Sequence, residues 1–268
     1  MMKHNQVRDI HISIVSHGQL ELVDLLLSDL SLLPCAGRLQ ITVTLNTHDD
    51  ENTLINRHPL FISCINNEMA KGFSTNHNYA FKFPPVPNER KYFIVLNPDI
   101  RITEDVITDL VYLIDKDSNI GVISPAVINT EGELEDSARE LPTYRQLLYK
   151  LLGKRCYWNH IDNKTRYCPD WVAGMFMVFK ADIFDRIGGF DEGFFLYYED
   201  VDICSRLWLN GLSVQVNPLS IVMHDARRDS RKKLKYFYWH LVSMYRFFTS
   251  KVHSDAIMVH TSRCGNRD

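Results

Sequence analysis

No run in this 268-residue chain comes near eighteen consecutive apolar residues. The longest dense stretch, Val172–Phe179, is far too short to span a bilayer. The N-terminus reads MMKHNQVRDIH and lacks an apolar signal core, so the expected location is the cytoplasm. Cysteine is scarce: Cys35, Cys64, Cys156, Cys168, Cys204 and Cys264, with no C-x-x-C pair among them. That spacing disfavours a zinc ribbon or a disulfide framework and leaves reduced thiols as the expectation. There is no internal repeat and no Gly/Ser linker, which excludes a solenoid or a string of tethered domains. The length suits one large domain, or one domain with an appendage. A formal net charge of −3 disfavours a dedicated nucleic-acid binder.

What is present is an alternation. Ile10–Val15, Leu39–Leu45, Leu60–Ile65 and Tyr92–Leu96 read as short buried strands. Between and after them, helical spacing recurs in Leu20–Leu30, in Ser74–Phe81, and in Val106–Ile114 behind a possible Thr103 cap. Strands alternating with helices predict an α/β domain with a mostly parallel sheet. Ligands of such sheets gather beyond the carboxyl ends of the strands. Ser16-His17-Gly18, Asn46–Asp50 and Asn97-Pro98-Asp99 all follow strands, so they should share that edge. The second half is predicted to hold an extended Ile120–Ile128, a turn at Glu131-Gly132-Glu133 and a helical Pro142–Trp158. A strand over Trp171–Phe179, a short helix over Asp182–Ile187 and a helix from Glu199 to Leu209 should follow. Gly211 should stop that helix, with Val214–Val222 extended after it.

Three places could carry chemistry. Asp99, fixed by a proline turn after a strand, can offer a hard oxygen to Mg²⁺ or Mn²⁺, although N-P-D is equally a plain turn. Glu199, Asp200 and Asp202 crowd the start of a helix, where acids are favoured by the dipole. Beside Tyr197 and Tyr198 such a carboxylate is also a candidate general base. His224 ends an apolar run before Arg227, Arg228 and Arg231. It is either structural or a metal ligand with Asp99, the arginines either solvated or phosphate-binding.

Taken in order, these pieces resemble glycosyltransferase family 2. The pieces are Ile14-Val15-Ser16-His17-Gly18, the stretch Lys71–Ala80, Leu96-Asn97-Pro98-Asp99, Trp171-Val172-Ala173-Gly174, Gly188–Phe195, Glu199–Arg206 and His224. The match runs from about Asp9 to Arg246 and is nearest to bacterial rhamnosyltransferases of O-antigen and related polysaccharide synthesis. The resemblance implies an inverting enzyme of the GT-A fold. That fold has a Rossmann-like, nucleotide-binding, mostly parallel sheet with helices on both faces. A catalytic domain over residues 1–225 is expected, its first hundred residues binding nucleotide-sugar and the remainder binding acceptor. A basic, aromatic helical segment over 226–268 should follow. The implied donor is dTDP-L-rhamnose and the implied acceptor a lipid-diphosphate-linked or growing saccharide. A UDP- or GDP-sugar donor is an alternative, as are a metal-dependent nucleotide-sugar hydrolase and a non-catalytic membrane-binding protein.

The resemblance also assigns roles. Asp200 becomes the base. Asp99 and His224 become ligands of Mg²⁺ or Mn²⁺, with Asn97 in the place of the motif's first acid. Ser16, His17, Asn76 and Asn78 fall where nucleotide and donor are held. Trp171, Gly174, Glu199, Arg227 and Arg231 complete the binding set. Where the family usually has an aspartate that contacts the base, this chain has Asn46, with Asp49 as a substitute. Asp202 and Arg206 are spaced to pair along the helix and anchor it. The C-terminal mixture of Lys/Arg with Trp, Tyr and Phe fits either an interfacial helix on the anionic inner-membrane surface or a helix packed on the domain.

Overall fold

The computed structural model describes residues 7–47, 57–84, 90–144, 166–225 and 234–264. The predicted helix over Pro142–Trp158 and the residues Asp49, Arg227, Arg228 and Arg231 lie wholly or largely outside these ranges. Ten strands are present among the described residues: β1 (Ile10–Ser16), β2 (Leu39–Leu45), β3 (Phe61–Asn66), β4 (Tyr92–Leu96), β5 (Ile100–Arg101), β6 (Ile120–Ile128), β7 (Ala138–Arg139), β8 (Trp171–Val172), β9 (Phe176–Lys180) and β10 (Ser213–His224). The helices are α1 (Leu20–Leu32), α2 (Phe73–Lys82), α3 (Val106–Lys116), α4 (Ala181–Arg186), α5 (Glu199–Leu209), α6 (Leu234–Phe248) and α7 (Lys251–Cys264).

Eight strands form one sheet in the order β3-β2-β1-β4-β9-β6-β10-β5, and β7 pairs with β8 in a small separate ribbon. The pairs β3-β2, β2-β1, β1-β4 and β6-β10 are parallel. β9 runs antiparallel to both its neighbours, and β5 antiparallel to β10. The middle strands β1, β2 and β4 are buried on both sides, as expected where helices cover both faces, whereas β3 at the edge is partly exposed. Ile10, Ile12 and Ile14 of β1 pack in a core with α1 and α3. On the opposite face Phe93 and Val95 of β4 join Phe81 of α2 and the aromatic residues of α4 and α5. Phe93, Phe179, Phe184, Phe190 and Phe194 are fully buried there. Each contributes about 1.5–3 kcal/mol of transfer energy.

Two local expectations are corrected. The run Trp171–Phe179 is two strands, not one. Trp171–Val172 pairs with β7, while Phe176–Lys180 lies in the main sheet. The chain breaks at Ala173-Gly174-Met175 to pass between sheets. Helix α3 is capped by Asp105, not Thr103, and the Asp105 carboxylate accepts from the Thr108 amide at 3.1 Å.

The C-terminal helices pack on the domain. Phe247 is fully buried, and His260 Nδ1 lies 2.8 Å from Asp170 Oδ2. Among the described residues, no helix is long and apolar enough to cross a membrane.

Candidate active site

The site begins where β4 stops. Pro98 ends the buried strand and β5 turns back to pair with the end of β10, so His224 lies opposite Ile100. This register brings His224 Nε2 to 3.2 Å from Asp99 Oδ2. His224 Nδ1 lies 2.8 Å from Glu135 Oε2, a carboxylate delivered by the hairpin after β6. Burial alone would lower the His224 pKa, but hydrogen bonds to, and the charges of, Asp99 and Glu135 outweigh it and raise the value to about 9. The other Asp99 oxygen, Oδ1, is buried without a hydrogen-bond partner. A buried orphan carboxylate oxygen beside an imidazole nitrogen is a donor set that suits Mg²⁺ or Mn²⁺. Among the described residues there is no cluster of three metal-binding side chains. Two protein ligands are what such cations commonly take when phosphate oxygens and water supply the rest. Glu135 then orients the ring from its far nitrogen.

The second half of the site follows from β9 being antiparallel. The C-terminal end of β4 therefore meets the N-terminal end of β9, and the Asn97 amide donates to the Met175 carbonyl at 2.9 Å. One residue earlier, the Gly174 amide donates to Asp200 Oδ2 at 3.2 Å. The Val201 amide donates to Asp200 Oδ1 at 2.9 Å. The proposed base is thus held by one backbone N–H on each oxygen. It is also connected to the Asp99 turn through a three-residue stretch of chain. Gly174 is needed there because a Cβ would come within 2.9 Å of the Phe73 ring. Burial raises the Asp200 pKa, opposed by those two amides and by the charge of Arg139. Arg139 on β7 stacks over Trp171 at 5.0 Å from the ring centroid. Trp171 is itself fixed by donating its indole N–H to the Glu140 carbonyl at 2.9 Å.

Just before Asp200, Tyr197 and Tyr198 both adopt left-handed backbone, at φ 71° and 67°. For residues with a Cβ this costs about 1–2 kcal/mol each. Tyr198 is held by ring contacts to His240 and Phe247, each at 5.6 Å, and Ser243 donates to the Leu196 carbonyl at 2.8 Å. The three acids at the helix start have different environments. Asp202 pairs with Arg206 at 2.8 Å, as its spacing predicted. Arg206 also donates to the carbonyls of Ile187 and Gly189, so the pair anchors the preceding loop to α5. Glu199 is only 4% exposed, and its Oε2 has no partner. Burial, with the Asp200 charge adding, raises its pKa well above the usual carboxylate range.

The asparagines expected to touch donor also clasp neighbouring backbone. Asn46 Oδ1 accepts from the Lys71 amide at 2.8 Å and from Asn67 Nδ2 at 2.7 Å. Its Nδ2 lies 2.8 Å from the Lys71 carbonyl and 3.1 Å from His17 Nδ1. The amide oxygen is therefore fully used and one N–H is committed, the second donating to His17 when that Nδ1 carries no proton. An aspartate here would set a carboxylate oxygen against the Lys71 carbonyl, where Asn46 donates. Asn76 is buried too, accepting from Asn67 and donating to the same carbonyl. Asn78 exchanges two bonds with the Phe190 backbone, at 2.8 and 2.9 Å, and clamps the glycine loop. Ser16 is buried and its hydroxyl accepts from the Gln19 amide at 3.1 Å, at the start of α1. His17 is exposed at the strand edge. Arg227 and Arg231 lie outside the described residues.

Glu135, Arg139 and Asn67 are the residues that sequence reasoning missed. The first two come from a hairpin and a two-residue strand with no periodicity to mark them. The one available signal was the crowding of acids over Glu131–Asp136.

Comparisons with known proteins agree with this architecture. A family model described as the N-terminal domain of galactosyltransferase matches residues 157–226. The rhamnosyltransferase WbbL of Escherichia coli is 29% identical over 90% of this chain and 93% of its own length. An N-acetylglucosaminyl-diphospho-decaprenol L-rhamnosyltransferase of Mycobacterium tuberculosis is also 29% identical, over 60% of this chain. This chain spans 55% of that relative's length. Among solved structures, a mannosyltransferase from Pyrobaculum calidifontis with GDP-Man and Mn²⁺ aligns over 97% of this chain and 64% of its own, at TM-score 0.58 and 13% identity. TarS of S. aureus aligns over 94% and 69%, at TM-score 0.59 and 14% identity. The fold is GT-A.

Proposed function

We propose that this glycosyltransferase, which stands close to the bacterial rhamnosyltransferases of family 2, transfers L-rhamnose from dTDP-L-rhamnose to a hydroxyl of a lipid-diphosphate-linked saccharide, with inversion. The observation that carries the mechanism is the Asp200 carboxylate. Each oxygen accepts one backbone N–H, from Gly174 on one and from Val201 on the other. Each oxygen keeps a lone pair, so the group can accept a proton without breaking its anchors. Asp200 takes the proton of the acceptor hydroxyl as that oxygen bonds to the anomeric carbon. The bond from that carbon to the diphosphate oxygen breaks on the opposite face, and the electron pair leaves with the nucleoside diphosphate. Asp99 and His224 would hold a divalent cation, which when bound neutralises charge on the diphosphate. The charge of Arg139, after the two amides, opposes the rise in the Asp200 pKa that burial causes. In this reading the strands before residue 100 carry the donor, and the elements after it carry the acceptor.

The support is the relatives' printed activity and the contacts that tie Asp200 to the turn carrying Asp99, through the Gly174 amide and the Asn97–Met175 backbone bond. The test is a screen of nucleotide-sugars with Mn²⁺ or Mg²⁺, with the Asp200→Asn variant in parallel. The expected result is metal-dependent binding of dTDP-rhamnose by both proteins, with transfer lost by at least ~10³-fold in the variant. Preference for a UDP- or GDP-sugar would overturn the donor, and normal turnover by Asp200→Asn would overturn the base.

A further inference from the structure

Helix α6 is apolar on two faces. Its inner face holds the segment before the base: Trp239 stacks on Phe195 at 4.5 Å, His240 meets the rings of Tyr197 and Tyr198, and Phe247 is fully buried. Its outer face carries Leu234, Phe237, Tyr238, Leu241, Val242 and Tyr245, all exposed, with Leu234 at 87% and Tyr245 at 73%. These residues recur at intervals of three, one, three, one and three, which is one continuous helical stripe. A helix that only packed on a water-soluble domain would be polar there. A contiguous apolar stripe over three turns marks a surface that something covers.

Charge and side-chain type identify the cover. The sequence of α6 contains Lys235 and Arg246 and no acidic residue. In the sequence just before it, Arg227, Arg228, Arg231, Lys232 and Lys233 outnumber the single Asp229. A second copy of this chain would bring like charges together, whereas anionic lipid headgroups would neutralise them. Tyr238 and Tyr245 have an apolar ring and a polar tip, the form that sits at the headgroup level. At fifteen residues α6 is about 22 Å long, and it has cations near both ends. It is therefore built to lie in the interface plane and not to cross.

We propose that the outer face of α6 seats on an anionic lipid bilayer, with the stripe at the boundary of headgroups and acyl chains. This deepens the reading of a lipid-linked acceptor and rests on it only for its consequence. Because the inner face of the same helix grips Leu196–Tyr198, the chain leading to Asp200 is held on the order of one helix diameter, ~10–12 Å, above the lipid surface. A saccharide standing on a membrane-anchored diphosphate presents its hydroxyls in that layer.

The experiment is flotation with vesicles of phosphatidylcholine alone and of phosphatidylcholine with phosphatidylglycerol. It uses the full chain and a Phe237→Ser/Leu241→Ser double variant. The wild type is expected on the anionic vesicles, and the double variant should lose more than about ten-fold in partition. Transfer to a water-soluble acceptor should be equal in both proteins, which shows that the variant folds. Transfer to an acceptor embedded in vesicles should fall with the partition. Equal partition of the two proteins would overturn the proposal. So would a wild-type dimer in solution that the double variant converts to monomer, because a second copy would then be the cover. If the donor assignment fails, soluble transfer of rhamnose fails for both proteins while the vesicle result still stands.

Discussion

Replacing Glu199 with methionine should stabilise the protein at neutral pH. Glu199 is 4% exposed, one of its oxygens has no partner, and Asp200 places a like charge beside it. In the unfolded chain its carboxyl has a pKa of about 4.3 and is ionised at pH 7. Burial and the Asp200 charge raise the folded-state value well above that, so folding near neutrality must either take up a proton or bury a charge. A raised carboxyl pKa leaves stability intact below the unfolded pKa and erodes it as pH rises above that value. An unpaired buried polar group costs about 1–3 kcal/mol, and methionine is close enough in length to fill the space with a repacking cost under about 1.5 kcal/mol. The expected net gain is about 1–2 kcal/mol at pH 7.5. At about 2–4 °C per kcal/mol for a chain of this size, Tm should rise by about 3–6 °C. Thermal and urea unfolding followed by circular dichroism at pH 7.5 and pH 4 would measure it. The gain should shrink at pH 4, where the unfolded carboxyl is also protonated. A variant less stable at pH 7.5, or one equally stabilised at both pH values, would refute the reasoning. KM for acceptor should stay within about two-fold. A large rise would return Glu199 to the acceptor site.

Arg139→Gln removes a positive charge that opposes the rise in the Asp200 pKa, so the acid limb of the kcat/KM profile should move to higher pH; an unmoved limb would detach Arg139 from the base. Asn46→Asp turns a donor into an acceptor opposite the Lys71 carbonyl and should cost about 2–3 kcal/mol in urea unfolding at pH 7. That penalty should ease as pH falls, because a protonated carboxyl regains one donor, and a neutral substitution would show that the clasp is not needed. Mn²⁺ at about a hundred times its Kd should raise wild-type stability by about 2.7 kcal/mol. The same addition should leave Asp99→Ala unmoved, and an equal shift in both proteins would place the cation elsewhere.

Much of the parallel sheet was legible because its strands are dense in apolar and β-branched residues and bounded by polar turns. β2, β4 and β6 fall where the pattern put them, and so does α5, whose acids and Gly211 mark both ends. Trp171–Phe179 misled because its composition is continuous while its backbone is not. The break at Gly174 exists so that one amide can point at Asp200, a requirement that lies in another part of the chain. Glu135 and Arg139 were invisible for a similar reason, since each gains its role from a partner 89 and 32 residues away in turn, His224 and Trp171. The asparagines carry a second task that composition does not show. Their amide chemistry suits a nucleotide, and only the filled hydrogen-bond positions reveal that the Asn46 amide oxygen is already occupied.

The antiparallel seat of β9 also constrains how the chain is assembled. β9 lies between β4 and β6, which precede it in sequence, so a growing polypeptide must make both neighbours before the strand that joins them. Until residue 180 has been made, Tyr92–Leu96 presents an apolar edge with unpaired backbone groups on one side. Such an edge is open to pairing with another nascent chain, and closing it requires contacts across more than eighty residues. Closing the β4 edge still leaves Asp200 and the whole of β10, with His224 at its end, to be made. The strand that seals the β4 edge begins two residues after the Gly174 amide that holds Asp200, so one stretch of chain both closes the core and supplies half of that carboxylate's seat.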